Sequence, residues 1–263
     1  MRISCIQMDM LPGKPEENFA HAEALVRETA QREGPDVIVL PETWNAGFAP
    51  GQIGPEAADH GGERTKAAFS ALAGALRVNI VAGSVMEERG GKLYNTAYVF
   101  DRRGQCAASY GKTHLFSPMG EDRHFEKGDH LSRFQLDDVS CAVVICYDVR
   151  FPELIRTLAL PGLDVLFVVS QWPSVRAEHL DVLTRARAVE NQMFVALCNS
   201  CGTAYGTKYG GGSAVIDPLG SVLIKAGDTE AVVTANADMA ALTDIRSRIP
   251  VFSDRRPELY DIR

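Results

Sequence analysis

Three residues of this 263-residue chain are of types that can do covalent chemistry together: the thiol of Cys146, the carboxylate of Glu42 and the ammonium of Lys112. Cys146 ends the apolar run Cys141-Ala142-Val143-Val144-Ile145. It is followed by Tyr147-Asp148-Val149-Arg150-Phe151-Pro152-Glu153, where Pro152 suits the first turn of a helix, so the segment reads as strand, sharp turn, helix. A thiol at such an elbow stands near backbone N–H groups and a helix N-terminus, features that favour a thiolate and can hold an oxyanion. The same pattern also fits a buried cysteine that merely closes a core strand. Glu42 closes Val37-Ile38-Val39-Leu40-Pro41, at the mouth of a buried strand, where loss of water suits a carboxyl to proton shuttling; the plainer reading is a solvated carboxylate in the loop beyond. Lys112 follows the strand Cys106 to Tyr110, a place where a lysine ordinarily points to water. Each signal is weak alone. Together, an acid, a cation and a thiol each follow a strand, and open α/β sheets assemble their sites at such carboxyl edges.

The elements that must position these residues are short runs rich in Val and Ile. Strands are predicted at Ile3 to Met8, Asp36 to Leu40, Asn79 to Val85, Tyr94 to Asp101, Cys141 to Cys146, Asp164 to Ser170, Met193 to Asn199 and Ser213 to Asp217. Several are apolar on both faces, so their sheet must be covered on both. Helices are predicted at Pro15 to Arg32, Glu63 to Arg77, Pro152 to Leu160, Ala177 to Asn191 and Ala237 to Arg248, the fourth with Leu180, Leu183 and Val189 near helical spacing. Turn signals at Arg89-Gly90-Gly91, Arg103-Gly104 and Pro218-Leu219-Gly220 insert hairpins into the strand-helix alternation, so the fold class is α/β with mixed sheets. No linker, fixed-period repeat or low-complexity tract divides the chain, and residues 1–263 read as a single domain.

The composition narrows the partners. An apolar fraction of 46% fills a sizeable core, and 27 Lys plus Arg against 34 Asp plus Glu leave a net charge of −7 with no basic cluster, so no nucleic acid is expected. No apolar run approaches the roughly 20 residues a bilayer requires, and Met1 to Ile6 reads as a strand with no signal-peptide core, so no membrane partner and a cytoplasmic location are expected. The six cysteines, at 5, 106, 141, 146, 198 and 201, read as reduced thiols. Cys198 and Cys201 form a C-x-x-C, but a structural zinc would need two further ligands, and a redox pair would open a helix where Gly202 stands. No metal and no cofactor are expected.

At the three strand ends the chain resembles the nitrilase-like carbon–nitrogen hydrolases. Val39-Leu40-Pro41-Glu42 is similar to the segment bearing that family's general base, Gly111-Lys112-Thr113-His114-Leu115-Phe116 to its lysine segment, and Val144-Ile145-Cys146-Tyr147-Asp148-Val149-Arg150-Phe151-Pro152-Glu153 to its nucleophile segment, in the family's order. The family's second glutamate matches Glu121 better than Glu126. The likeness runs nearly end to end, through Arg185 to Gln192 and on to Ile249-Pro250-Val251-Phe252 and Arg256 to Tyr260, and within the family it is greatest to the omega-amidase branch. The resemblance implies a four-layer αββα sandwich. It implies a Glu-Lys-Cys triad of Glu42, Lys112 and Cys146 assisted by Glu121, with Tyr147 supplying an oxyanion N–H. It implies hydrolysis of a small carboxamide, such as 2-oxoglutaramate or 2-oxosuccinamate, through a cysteine thioester. It also implies a homodimer whose interface takes the C-terminal tail, residues 250–263. Trp172, Phe116 and Met119 are candidates to wall the substrate pocket and Arg150 to clamp a substrate carboxylate, against scaffold roles for each; Asp148 and Arg150 have the further reading of a mutual ion pair. Rival readings are a nitrilase or an N-carbamoyl amide hydrolase using the same triad, and, from another class, an inactive binding protein that retains the fold.

Overall fold

Apolar side chains on both faces of the central strands demand a cover on either side. The computed structural model, which describes residues 1–260, meets that demand with two sheets packed face to face and helices outside them. The first sheet contains β1 (Arg2–Gln7), β2 (Val37–Val39), β3 (Asp59–His60), β4 (Asn79–Arg89), β5 (Lys92–Phe100), β6 (Cys106–Gly111) and β7 (Phe125–Glu126). The second contains β8 (Arg133–Leu136), β9 (Val139–Ile145), β10 (Val165–Ser170) and β11 (Phe194–Asn199). After the small hairpin of β12 (Thr203–Ala204) and β13 (Thr207–Lys208), β14 (Ala214–Ile216) and β15 (Val222–Lys225) complete the second sheet, and β16 (Ala231–Asn236) returns to the first. β1, β2 and β4 are parallel, with β16 and β5 antiparallel beside them; β9, β10 and β11 are parallel between antiparallel β8 and β14. Both sheets are therefore mixed.

Period-two alternation sorts the side chains. Ile3 and Cys5 of β1 and Val37 and Val39 of β2 share one core with Val143, Phe167 and Val195 of the second sheet. Ile6 and Ile38 instead meet Phe19 and Val26 of α1 (Pro15–Glu33) and Phe69 and Leu72 of α2 (Glu63–Leu76). On the other side α3 (Pro152–Ala159) and α4 (Ala177–Asn191) bury Ile155, Leu158, Leu180 and Ala188. The order of layers is thus helices, sheet, sheet, helices, and α5 (Ala240–Arg248) follows β16. The Cys198 thiol donates to the carbonyls of Ile6 and Val39, each at 3.2 Å, and so ties β11 to β1 and β2 across the two sheets.

Some elements depart from the sequence reading. β8, β15 and β16 carry no strong strand signal because they lie at or near sheet edges with one face toward solvent, as the alternating burial of Arg133, Phe134, Gln135 and Leu136 shows. α5 begins at Ala240 rather than Ala237. The inward face of α4 is Leu180, Thr184, Arg187, Ala188 and Asn191, and Val189 is exposed. Arg187 is drawn in because its Nε donates to the Val149 carbonyl at 2.9 Å. In the tail, Phe252 packs against the core with the Arg156 guanidinium 5.1 Å from its ring, and Pro257–Leu259 form a single 3-10 turn. Residues 261–263 of the expected tail lie outside the described residues.

A bulge between Val81 and Ser84 in β4 shapes the exit of β2. It places Gly83 at φ +59, where a Cβ would stand 2.0 Å from the Pro41 carbonyl oxygen, immediately before Glu42. Both the left-handed backbone and the contact exclude a side chain. Gly83→Ala is expected to cost about 2 kcal/mol or more in stability, read as a Tm several degrees lower in thermal unfolding; an unchanged Tm would show that this bulge tolerates a side chain.

Candidate active site

The segment after β2 turns sharply, with Thr43 at φ +42, and the segment after β9 does the same, with Cys146 at φ +49 opening a 3-10 turn over Cys146–Arg150. Positive φ in residues other than glycine costs of order 1–3 kcal/mol and persists only where the surroundings enforce it. At Thr43 the enforcement comes from its N–H donating to Ser84 Oγ (3.0 Å) and its hydroxyl donating to Gln171 Oε1 (3.0 Å). At Cys146 it comes from Asp148, fully buried, which accepts from Ile145 N–H (3.0 Å) and Tyr110 O–H (2.8 Å). Its other oxygen accepts from Thr113 Oγ1 (3.1 Å) and His114 N–H (3.0 Å) and contacts His114 Nδ1 at 2.8 Å. One carboxylate therefore clamps the lysine segment to the cysteine elbow. Asp148 does have buried partners, but Arg150 is not among them.

Between these loops Lys112 Nζ donates to Glu42 Oε1 at 2.8 Å and to both oxygens of Glu121, at 3.0 and 2.9 Å. All three side chains are 0% exposed. The remaining acceptor capacity is used: Asn95 Nδ2 donates to Glu42 (2.9 Å) and Glu121 (3.2 Å), Gln171 N–H to Glu42 Oε2 (2.7 Å), and Phe116 N–H to Glu121 Oε2 (2.6 Å). Glu126, by contrast, is exposed and pairs with Lys92.

Burial alone would lower the Lys112 pKa, but Glu121 and Glu42 outweigh it and hold the group well above the usual lysine value, as an ammonium. Burial raises the Glu121 pKa against the pull of Lys112. Burial and then the Glu42 charge push the Cys146 thiol well above its ordinary value, with Lys112 opposing. The thiolate-favouring features of the elbow are thus opposed by its surroundings.

A cleft of about 300 Å³ opens over this cluster, lined by Cys146 and Lys112 together with Tyr147, Trp172, Phe116 and Met119. Arg150 is not in its lining. Four residues along a turn of three, it points to Trp172, with its guanidinium 4.9 Å from that ring and Nη2 3.1 Å from His179 Nδ1. The guanidinium that does line the cleft is Arg176, 5.2 Å from the Phe116 ring; Phe48, Gln171 and Pro173 complete the wall. Sequence reasoning passed over Arg176 because a charge in the loop before a helix reads as solvated; its one signal was lying four residues beyond Trp172, whose Nε1 donates to the Arg176 carbonyl at 2.8 Å. Asn95 was missed because a lone polar residue inside an apolar strand carries no chemical signature.

The family model described as carbon–nitrogen hydrolase matches residues 2–247. The chain belongs to the carbon–nitrogen hydrolase family. It is an amide-hydrolysing enzyme, similar at 40% identity to the 2-oxoglutaramate amidase of Bacillus subtilis (98% of each chain) and at 35% to an omega-amidase of Danio rerio (99% of this chain, 96% of that one). Among solved structures, the carbon–nitrogen hydrolase superfamily protein of Xanthomonas campestris superposes with a TM-score of 0.89 at 31% identity, covering 100% of this chain and 99% of that one. The shared fold is the αββα arrangement described above.

For this hydrolase the raised thiol has a direct consequence. A group whose pKa is raised stays protonated below the ordinary thiol value of about 8.5 and ionises only above it. The difference in ultraviolet thiolate absorbance between the enzyme and Cys146→Ala is thus expected to be absent at neutral pH and to grow only in the alkaline range; a thiolate signal at pH 7 would overturn the assignment of charge in the cluster.

Proposed function

We propose that this hydrolase cleaves the omega-amide of a short 2-oxo dicarboxylic acid, such as 2-oxoglutaramate or 2-oxosuccinamate, to the acid and ammonia, with Cys146 as nucleophile. The observation that carries this reading is the make-up of the cleft, with Cys146 and Lys112 among its walls and a second cationic residue, Arg176, in the same otherwise largely apolar lining. An amide carbonyl over the sulfur and a free carboxylate on the guanidinium satisfy both, since Arg binds carboxylate with two parallel donors. The activities named for the Bacillus and Danio relatives agree with this substrate class.

In the proposed reaction Cys146 Sγ attacks the carbonyl carbon as Glu42 takes the thiol proton. Lys112 Nζ and the Tyr147 N–H face the oxyanion, a role in which losing one donor costs about 100-fold. Glu42 returns the proton to the leaving nitrogen, ammonia departs, and a thioester remains. Glu42 then takes a proton from water, the hydroxide attacks the thioester, and the carboxylic acid leaves as the proton returns to sulfur. Glu121 holds Lys112 in place. Trp172, Phe116 and Met119 shape the walls. Arg150 enters only through its stacking on Trp172.

We further propose that residues 1–263 act as one domain, supported by the pairing of β1 with β16, Arg2 opposite Asn236, and that the protein is a cytoplasmic homodimer. Free, buried Cys5, Cys141 and Cys198 suit a reducing compartment, and among the described residues no helix is long and apolar enough to cross a membrane. Exposed Ile249, Leu259 and Tyr260 in the tail, and Val182 on α4, are apolar surface that a second copy would cover.

Ammonia release from an oxo-acid amide, a nitrile and an N-carbamoyl amino acid tests the substrate class: the amide is expected to turn over, Cys146→Ala to abolish turnover, and Arg176→Gln to raise KM about tenfold or more with a smaller change in kcat. Turnover of the nitrile alone would replace the amidase reading, and wild-type rates in the alanine variant would remove Cys146 from the mechanism. Light scattering is expected to report twice the 28.6 kDa chain mass; a monomer would sink the dimer proposal.

A further inference from the structure

We propose that a second small-molecule site, for a free α-amino acid, lies on the outer face of the first sheet, between β4, β5 and β6 and the start of α2. The hollow there, open to solvent, has a volume of about 870 Å³ and has Glu87, Thr96 and Tyr98 in its lining, with Lys66, Arg89 and Lys127 around it. Strand register brings its floor together: Glu87 stands opposite Tyr94, Thr96 opposite Gly111 and Tyr98 opposite Ser109. Gly111 has no side chain, and the Gly128 backbone takes its place there, 3.1 Å from where a Cβ would stand. The chain also crosses itself at this wall, where a Cβ on Gly128 would stand 2.0 Å from the Gly111 carbonyl oxygen, so the hollow is framed by backbone that side chains cannot enter.

Two buried polar groups here lack partners. Glu87 is 2% exposed, yet its Oε2 has no hydrogen-bond partner among the described residues, and Thr96 Oγ1, on a residue 3% exposed, has none either. The cation nearest Glu87 is Arg89, with Nε 4.0 Å from Oε1, too far for a hydrogen bond, and its guanidinium lies 4.1 Å from the Tyr94 ring centroid. The Tyr98 hydroxyl lies against Glu87, and burial and then that carboxylate raise its pKa, yet Glu87 Oε2 keeps no hydrogen-bond partner; a buried carboxylate oxygen without one marks the place of a donor. A primary ammonium carries three donors, enough for Glu87 Oε2, Thr96 Oγ1 and a further acceptor.

The surroundings decide the rest of the ligand. Lys66 Nζ is committed to the Gly61 carbonyl at 2.8 Å, His130 Nδ1 and Asp129 hold each other at 2.9 Å, and Arg89 lies between Glu87 and the Tyr94 ring, leaving Lys127 as the cation of the lining to face an anion. A simple anion would meet the Glu87 charge, and a simple amine would leave the basic rim unmatched. A zwitterion with its ammonium inward and its carboxylate at the rim satisfies both, and the Tyr94 and Tyr98 rings offer walls to its side chain. This site is separate from the cleft: Asn95, the neighbour of Thr96 in β5, points the other way, to Glu42 and Glu121.

Calorimetric titration of Cys146→Ala protein with the proteinogenic amino acids, their 2-oxo acids and the corresponding decarboxylated amines tests the proposal. At least one amino acid is expected to bind saturably below about 10 mM, and to bind more tightly than its 2-oxo acid or its amine. Thr96→Val, which keeps the side-chain shape, and Glu87→Gln are each expected to weaken that binding about tenfold, and Lys127→Ala to weaken it through the carboxylate. Absence of saturable binding by every amino acid, or binding that none of the three substitutions moves, would overturn the proposal. Should Glu87→Gln fail to fold, Thr96→Val and Lys127→Ala decide the question alone. Omega-amide turnover, measured separately in Thr96→Val with Cys146 intact, keeps this test distinct from that of the amidase reading.

Discussion

The structure turns on one buried ammonium held between two buried carboxylates. Lys112 reaches Glu42 and Glu121 within 3.0 Å, and none of the three side chains touches water. Taking such charges out of water costs several kcal/mol per ion, and their mutual attraction offsets that only if the other lone pairs are also satisfied. Here they are, by Asn95, the Gln171 N–H and the Phe116 N–H. The cluster thus recruits the ends of β2 and β6, the middle of β5 and the exit of β10, and loss of Lys112 would leave two buried carboxylates without their countercharge.

The same cluster dictates how the thiol must be used. Burial first and Glu42 second raise the thiol, so the proposed reaction generates nucleophilic power during attack, through an adjacent proton acceptor. In the proposed reaction Glu42 is that acceptor, and its Oε1 already accepts from the Lys112 ammonium at 2.8 Å. Strain supplies the aim. Thr43 and Cys146 follow two different strands, each in a left-handed conformation, and Asp148 locks the second against the lysine segment through both of its oxygens. Chemistry and backbone distortion are concentrated at the same sheet edges because only there does the chain turn while its ends remain anchored in core strands.

Much of this was legible from residue order. Strands apolar on both faces read directly as a covered sheet, and Pro152 after a β run read as an elbow, because alternation and the first turn of a helix are local properties. The edge strands β8, β15 and β16 were not legible, since half-exposed strands lose the apolar continuity that marks the central ones. The face of α4 was misjudged for a related reason: Arg187 is buried by a hydrogen bond to the Val149 carbonyl, a partner 38 residues away, and no local period can predict that.

Residue order alone sets which chemical types stand at which strand ends, because a strand's limits depend on neighbours a few residues apart. It therefore placed a carboxylate, an ammonium and a thiol at sheet edges in a recognisable order. Packing in three dimensions settles that burial and the Glu42 charge raise the thiol, that Arg176 rather than Arg150 lines the cleft, and that Glu87 lies buried with an oxygen unmet. Those outcomes depend on distances and burial between segments far apart in the chain, and electrostatic energy follows separation in space, not separation in sequence.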